Sequence, residues 1–180
     1  MSEYYDSLLE GAKAKDLIKI MLEKSGYKVY PYGYETTHSD VRNKLNTQDA
    51  RNSRTARRIR ASPDLLVYDE ALGDVYLVEV KMRRAPEESN VLIYADRIAA
   101  YKEFWDDSIL VVMVPCGSVF YAQRTSELEV KESYNAGRDF RRLEETFHRV
   151  KPTDLDHFRK QAYQIMEKRV KQKRKRTRHY

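Results

Sequence analysis

Three side chains of this 180-residue chain are of the types that act together on phosphate esters: Asp64, Glu79 and Lys81. Asp64 and Glu79 flank Asp69-Glu70-Ala71-Leu72-Gly73, whose turn composition and glycine predict a hairpin between strands over Asp64–Tyr68 and Asp74–Lys81. With the turn centred between Ala71 and Leu72, partner numbers sum to 143, so Tyr68 faces Val75, Leu66 faces Leu77 and Asp64 faces Glu79. Opposed side chains in an antiparallel pair stand about 4.5–5.5 Å apart at Cβ, and like charges there are destabilising. A divalent cation would offset that repulsion, since hard oxygen ligands converging from two sides are what Mg²⁺ or Mn²⁺ takes. The strand period of two sets Lys81 on the face of Glu79 and turns Val80 the other way. Two carboxylates and an ammonium suit phosphodiester hydrolysis: the metal polarises a phosphoryl oxygen and activates water, while the lysine orients that water and offsets transition-state charge. Pro63 has no N–H to donate and can open a strand, which presents Asp64 at the sheet end.

The elements that must position these groups can be read from periodicity. Ala14, Leu17, Ile18, Met21 and Leu22 follow helical spacing within about Tyr5–Ser25, and Gly26 stops the helix. Tyr27–Tyr34 reads as a strand, and Pro31 argues for a sheet edge or a strand end. Tyr94–Trp105 carries Ile98, Tyr101 and Trp105 at helical spacing, with Tyr101 read as packing. Ile109–Val114 and Val119–Gln123 read as strands around the Pro115-Cys116-Gly117-Ser118 turn. Thr153-Asp154-Leu155-Asp156 resembles a capping box, opening a long amphipathic helix through Leu155, Phe158, Ala162, Ile165, Met166 and Val170. The expected organisation is a domain over 1–150 with a basic insert at 36–62, then a helix and basic tail over 151–180.

Pro63-Asp64 followed by Glu79-Val80-Lys81 resembles the motif of the PD-(D/E)xK nuclease superfamily, whose core order of helix, strand, hairpin, helix and strand also matches. Within it, Gly11–Ile18 and Glu23–Tyr27 resemble the first helix of archaeal Holliday junction resolvases, and the resemblance covers residues 8–35 and 62–124. It implies an α/β fold with a restriction-endonuclease-like core, a central mixed sheet flanked by helices. It also implies a Mg²⁺-dependent (or Mn²⁺-dependent) endodeoxyribonuclease acting as a homodimer on branched or otherwise structured DNA. Asp64, Glu79 and the Val80 carbonyl would be metal ligands, and Lys81 the water-orienting group. Two departures stand out. The resolvases carry a metal-binding glutamate in the first helix where this chain has Lys15, so Glu10, one turn before Ala14, or Glu35, just after the first strand, would replace it. The insert and the region after about Lys131 are additions to the compact core. The alternative expectation is therefore a DNA-binding architectural or regulatory protein on the same fold, with weak or lost nuclease activity.

Charge distribution points to a polyanionic partner. Of the net +6, the block Arg42–Arg60 carries +6 and Glu167–Tyr180 carries +7, leaving −7 for everything else. Clustered cations bind nucleic acid by releasing its counterions. The residues expected to contact it are Arg51, Arg54, Arg57, Arg58 and Arg60 in the insert, Arg83 just past Lys81, and Lys173 and Arg174 in the tail. If the insert is helical, Arg51, Arg54 and Arg58 share one face; with few apolar anchors it is expected to be a mobile basic flap closing on a phosphate backbone. RNA shares every charge argument with DNA.

Other classes are excluded. The longest aliphatic run, Ile109–Val114, is six residues, against about 20 for a membrane-spanning helix. The amino terminus lacks the basic-then-apolar pattern of a signal peptide, so a cytoplasmic location is expected. One cysteine, Cys116, allows no intrachain disulfide. The six glycines form no phosphate-binding loop, so no organic cofactor is expected. His38, His148, His157 and His179 show no ligand spacing.

Overall fold

The structure is a computed structural model that describes residues 2–34, 45, 53–83, 90–114 and 117–176, with side chains described from residue 9 to residue 165. Helix α1 (Ser2–Lys24) buries the expected stripe of Ala14, Leu17, Ile18, Met21 and Leu22. Its end is closed by the Ser25 N–H on the Met21 and Leu22 carbonyls, and Gly26, at φ 89°, turns the chain back. Strand β1 (Lys28–Pro31) follows, then helix α2 (Arg54–Arg60), capped by the Ser53 side chain on the Ala56 N–H. Next come β2 (Leu65–Asp69) and β3 (Asp74–Met82), the short β4 (Val91–Leu92), helix α3 (Ala95–Phe104), β5 (Ile109–Met113) and β6 (Phe120–Arg124). The chain then passes through β7 (Ser133–Tyr134), α4 (Ala136–Asp139), β8 (Arg141–Arg142) and α5 (Leu143–Thr146) into the long α6 (Pro152–Arg176).

Among the described residues, one sheet runs in the order β1-β2-β3-β5-β6-β8, and β4 pairs with β7 in a small second sheet. The β3–β5 pair is parallel and its neighbours are antiparallel. A parallel pair needs a crossover, which the segment containing α3 supplies. The fold is thus the expected α/β arrangement of a central mixed sheet flanked by helices. The hairpin register is as expected, with Leu66 opposite Leu77 and Tyr68 opposite Val75, and Gly73 takes the positive φ of 74° that its turn requires. Pro31 closes the edge strand, as a residue without an N–H should.

Strand alternation divides the core into two layers. Leu65, Val67, Val78, Val80, Val111 and Met113 face α1 and α6, whose Leu155, Phe158 and Ala162 are buried in the same cluster. Leu110, Val112 and Tyr121 face Ile98 and Tyr101 of α3, together with Val91, Tyr134 and Phe140. Glu79 and Lys81, out of phase with Val78 and Val80, therefore face the α3 layer. Arg149 ties the hairpin to the later chain, donating to the Gly26 carbonyl at 2.7 Å and pairing with the buried Asp69 at 3.3 Å.

The insert is not a loose flap where it is described. Helix α2 docks on the end of α3: Arg54 and Arg57 pair with Glu103 at 3.4 and 2.9 Å, and their guanidiniums lie 5.5 and 5.6 Å from the Phe104 ring centroid. Arg58 lies 5.3 Å from the Trp105 ring, whose indole N–H donates to the Arg58 carbonyl at 3.2 Å. The anchors are aromatic and charged groups some 45 residues downstream, which local apolar content does not register. Among the described residues no helix is long and apolar enough to cross a membrane.

Candidate active site

Asp64 sits one residue before β2, and continuing the hairpin register brings it beside Glu79. Its main chain is fixed from the edge strand: the Tyr32 and Gly33 N–H groups donate to the Asp64 carbonyl at 2.9 and 3.2 Å. This crossing is tight at Gly33, where a Cβ would stand 3.3 Å from the Pro63 carbonyl and 3.5 Å from the Asp64 Cα. Asp64 Oδ2 accepts from the Val80 N–H at 2.9 Å. The other oxygen, Oδ1, lies 2.7 Å from Lys15 Nζ, in a pair whose side chains are 12% (Asp64) and 33% (Lys15) exposed. Lys15 belongs to α1, on the opposite face of the sheet from Glu79.

Glu79 is 4% exposed. Its Oε1 pairs with Lys81 Nζ and accepts from the Tyr101 hydroxyl at 2.8 Å. The Lys81 ammonium also lies 5.9 Å from the Tyr101 ring centroid. Burial lifts the Glu79 carboxyl above the ordinary range; Lys81 opposes that and the Asp64 charge adds to it. For Lys81, burial alone would favour the neutral amine, but Glu79, Tyr101 and Asp64 outweigh it and hold the side chain as a firmly protonated ammonium. Burial, then the Glu79 charge, pushes the Tyr101 phenol up as well.

The acidic pair is thus brought together as expected, but its repulsion is answered differently. Two ammonium groups of the chain itself, Lys15 on Asp64 and Lys81 on Glu79, balance the two carboxylates. The donors that remain are of the type a hard divalent cation takes: two carboxylates and a main-chain carbonyl. An extended residue turns its N–H and C=O to the same edge, so the Val80 carbonyl faces the Asp64 side, beyond the last β2–β3 pair at Leu65 and Val78. Asp64, Glu79 and the Val80 carbonyl therefore fit Mg²⁺ or Mn²⁺ in chemistry, with Lys15 as a competitor. No third His, Cys, Asp or Glu joins the pair among the described residues.

Glu10 is buried on α1, one turn before Ala14 of the core stripe. Glu35, the other candidate, lies outside the described residues, as do Arg51 and the side chains of Lys173 and Arg174. Arg60 is in the last turn of α2 beside Arg57 and Arg58. Arg83 does not project as a free phosphate contact: it donates to the Leu92 carbonyl at 2.7 Å and the Met82 carbonyl at 2.9 Å, bracing β4 against the end of β3.

Two site residues were missed by sequence reasoning. Tyr101, read as packing, presents its hydroxyl to Glu79, and the signal was a tyrosine on a buried helix face, whose O–H must find a partner. Lys15, noted only as a departure from the resolvase pattern, neutralises Asp64; no local pattern marks a contact across the sheet end.

No protein-family model matches the chain, and no curated protein matches it. Among solved structures, it is similar to that of Hjc, a Holliday junction resolvase from the archaeal hyperthermophile Archaeoglobus fulgidus, with 13% identity, a TM-score of 0.47, and coverage of 78% of this chain and 99% of that one.

Proposed function

We propose that this chain is a metal-dependent endonuclease that hydrolyses phosphodiester bonds in DNA, with branched or otherwise structured DNA as its substrate and a homodimer as its working form. The observation that carries this reading is the convergence of Asp64, Glu79 and Lys81 at the end of the central hairpin, in the register expected from sequence. Asp64, Glu79 and the Val80 carbonyl would hold Mg²⁺ or Mn²⁺, which when bound supplies Lewis-acid polarisation of a phosphoryl oxygen. The protein's own groups do the rest. The Val80 N–H fixes the Asp64 carboxylate and the Tyr101 hydroxyl fixes Glu79, so neither reorganises on substrate arrival. Lys81, held as an ammonium by its acidic neighbours, serves as a donor that orients water and offsets charge on phosphorus. The arginines of α2, with the basic tail, supply cations for the phosphate backbone.

One observation favours a second reading. Lys15 rests on Asp64 at 2.7 Å, which would suit a DNA-binding architectural or regulatory protein with weakened nuclease activity. Incubation of a labelled four-way junction with the protein and Mg²⁺ or Mn²⁺, repeated with Asp64→Ala and Lys81→Ala, separates the two. Cleavage lost in both variants supports the enzyme. Salt-sensitive binding without cutting under either metal supports the binding protein, and preferential competition by RNA would move the substrate to RNA.

A further inference from the structure

Each of the two acids already carries an ammonium of this chain, and the two lysines are not equivalent. Lys81 lies on the same strand as Glu79, between its carboxylate and the Tyr101 ring. Lys15 comes from α1 in the opposite layer and reaches round the start of β2 to Asp64, where it keeps a third of its side-chain surface in solvent. Each Asp64 oxygen has a partner, Oδ1 in Lys15 and Oδ2 in the Val80 N–H. Two carboxylates and two ammoniums leave no net formal charge, so the electrostatic pull that would draw in a divalent cation is largely cancelled. A cation approaching Asp64 meets a positive charge 2.7 Å from the oxygen it would bind. At such a separation in a partly buried site, the repulsion between two positive charges is only partly screened by water. The long, one-third exposed Lys15 side chain can swing into water without disturbing the strands, which Asp64 and Glu79 cannot do.

We propose that Lys15 is a resident cation that competes with divalent metal for Asp64, setting the metal affinity of the site low while it rests there. The inference rests on the reading of Asp64 and Glu79 as a metal pair. Its test is Mn²⁺ binding to the full chain without nucleic acid, read from the electron paramagnetic resonance signal of free Mn²⁺. The proteins compared are the unmodified chain, Lys15→Met and Lys15→Arg, each with and without Asp64→Asn. Lys15→Met should bind Mn²⁺ at least about tenfold more tightly, because the competing charge is gone. Lys15→Arg, which keeps the charge, should behave like the unmodified chain, and Asp64→Asn should abolish the gain. Should Lys15→Met fail to fold, Lys15→Gln, which keeps a donor to Asp64 without the charge, carries the same comparison. Asp64-dependent binding that is equally tight with and without the lysine overturns the competition and leaves the metal pair standing. An absence of Asp64-dependent Mn²⁺ binding in every protein overturns both.

Discussion

Replacing Tyr101 with phenylalanine removes one oxygen atom and leaves the ring that lies beside Lys81 and fills the α3 layer. What is lost is the 2.8 Å hydrogen bond to Glu79 Oε1, made between a residue that is 3% exposed and one that is 4% exposed. Hydrogen bonds to charged groups contribute about 1.5–3 kcal/mol, and water has little access to replace this one. Lys81 remains on the same carboxylate oxygen and limits the damage. The expected loss is about 2 kcal/mol, equivalent to a fall in Tm of about 4–8 °C for a chain of this size. Urea unfolding followed by circular dichroism should show a lower midpoint with an unchanged slope. In a Glu79→Gln background the same substitution should cost only about 1 kcal/mol, because the acceptor is then neutral. A Tyr101→Phe loss below about 0.5 kcal/mol, or an equal loss in both backgrounds, would refute the claim that the phenol holds Glu79 in place.

Other parts of the molecule give equally direct tests. Burial alone would raise the Asp139 carboxyl, but Arg138, the Asn135 N–H and Lys131 outweigh it and hold it at about 2, below the usual 3.8. A depressed carboxylate stabilises the fold above its unfolded value and loses that contribution as pH falls toward its folded one. About 2 kcal/mol should therefore disappear between about pH 4 and pH 2, and acid unfolding of Asp139→Asn should lack that component. Phe158→Ala should destabilise by about 3–5 kcal/mol in chemical denaturation, since the ring is 2% exposed in the α1–α6 layer. Deleting Lys168–Tyr180 removes eight cations, and should weaken DNA binding of every sequence and flatten its dependence on log salt. An unchanged salt slope in a filter-binding titration would mean the tail touches no phosphates.

The hairpin was legible because its determinants are local: a turn with glycine at its end and two runs of strand formers, whose register follows once the turn is centred. The α1 stripe and the paired strands around β5 were legible for the same reason. The two-residue strands β4 and β7 are too short to carry a period, and their pairing joins Val91 to Tyr134 across a long stretch of chain. The docking of α2 depends on Glu103, Phe104 and Trp105, which present charge and aromatic faces only once α3 has packed. Within the site, the Asp64–Glu79 juxtaposition came from strand arithmetic, whereas Lys15 and Tyr101 arrive from helices on opposite faces of the sheet. Periodicity told which face of each helix is buried, but not what its polar tips reach.

The burial of Leu155, Phe158 and Ala162 against α1 bears on how the protein is made. A ribosome emits residues in order, so the parts of α1 and of its sheet face that α6 covers stay open to water until Leu155, Phe158 and Ala162 have been synthesised. During that interval the nascent chain is a ready client for holdase chaperones. Slowing translation upstream of α6 should lengthen that vulnerable stage, whereas a pause after it should be harmless.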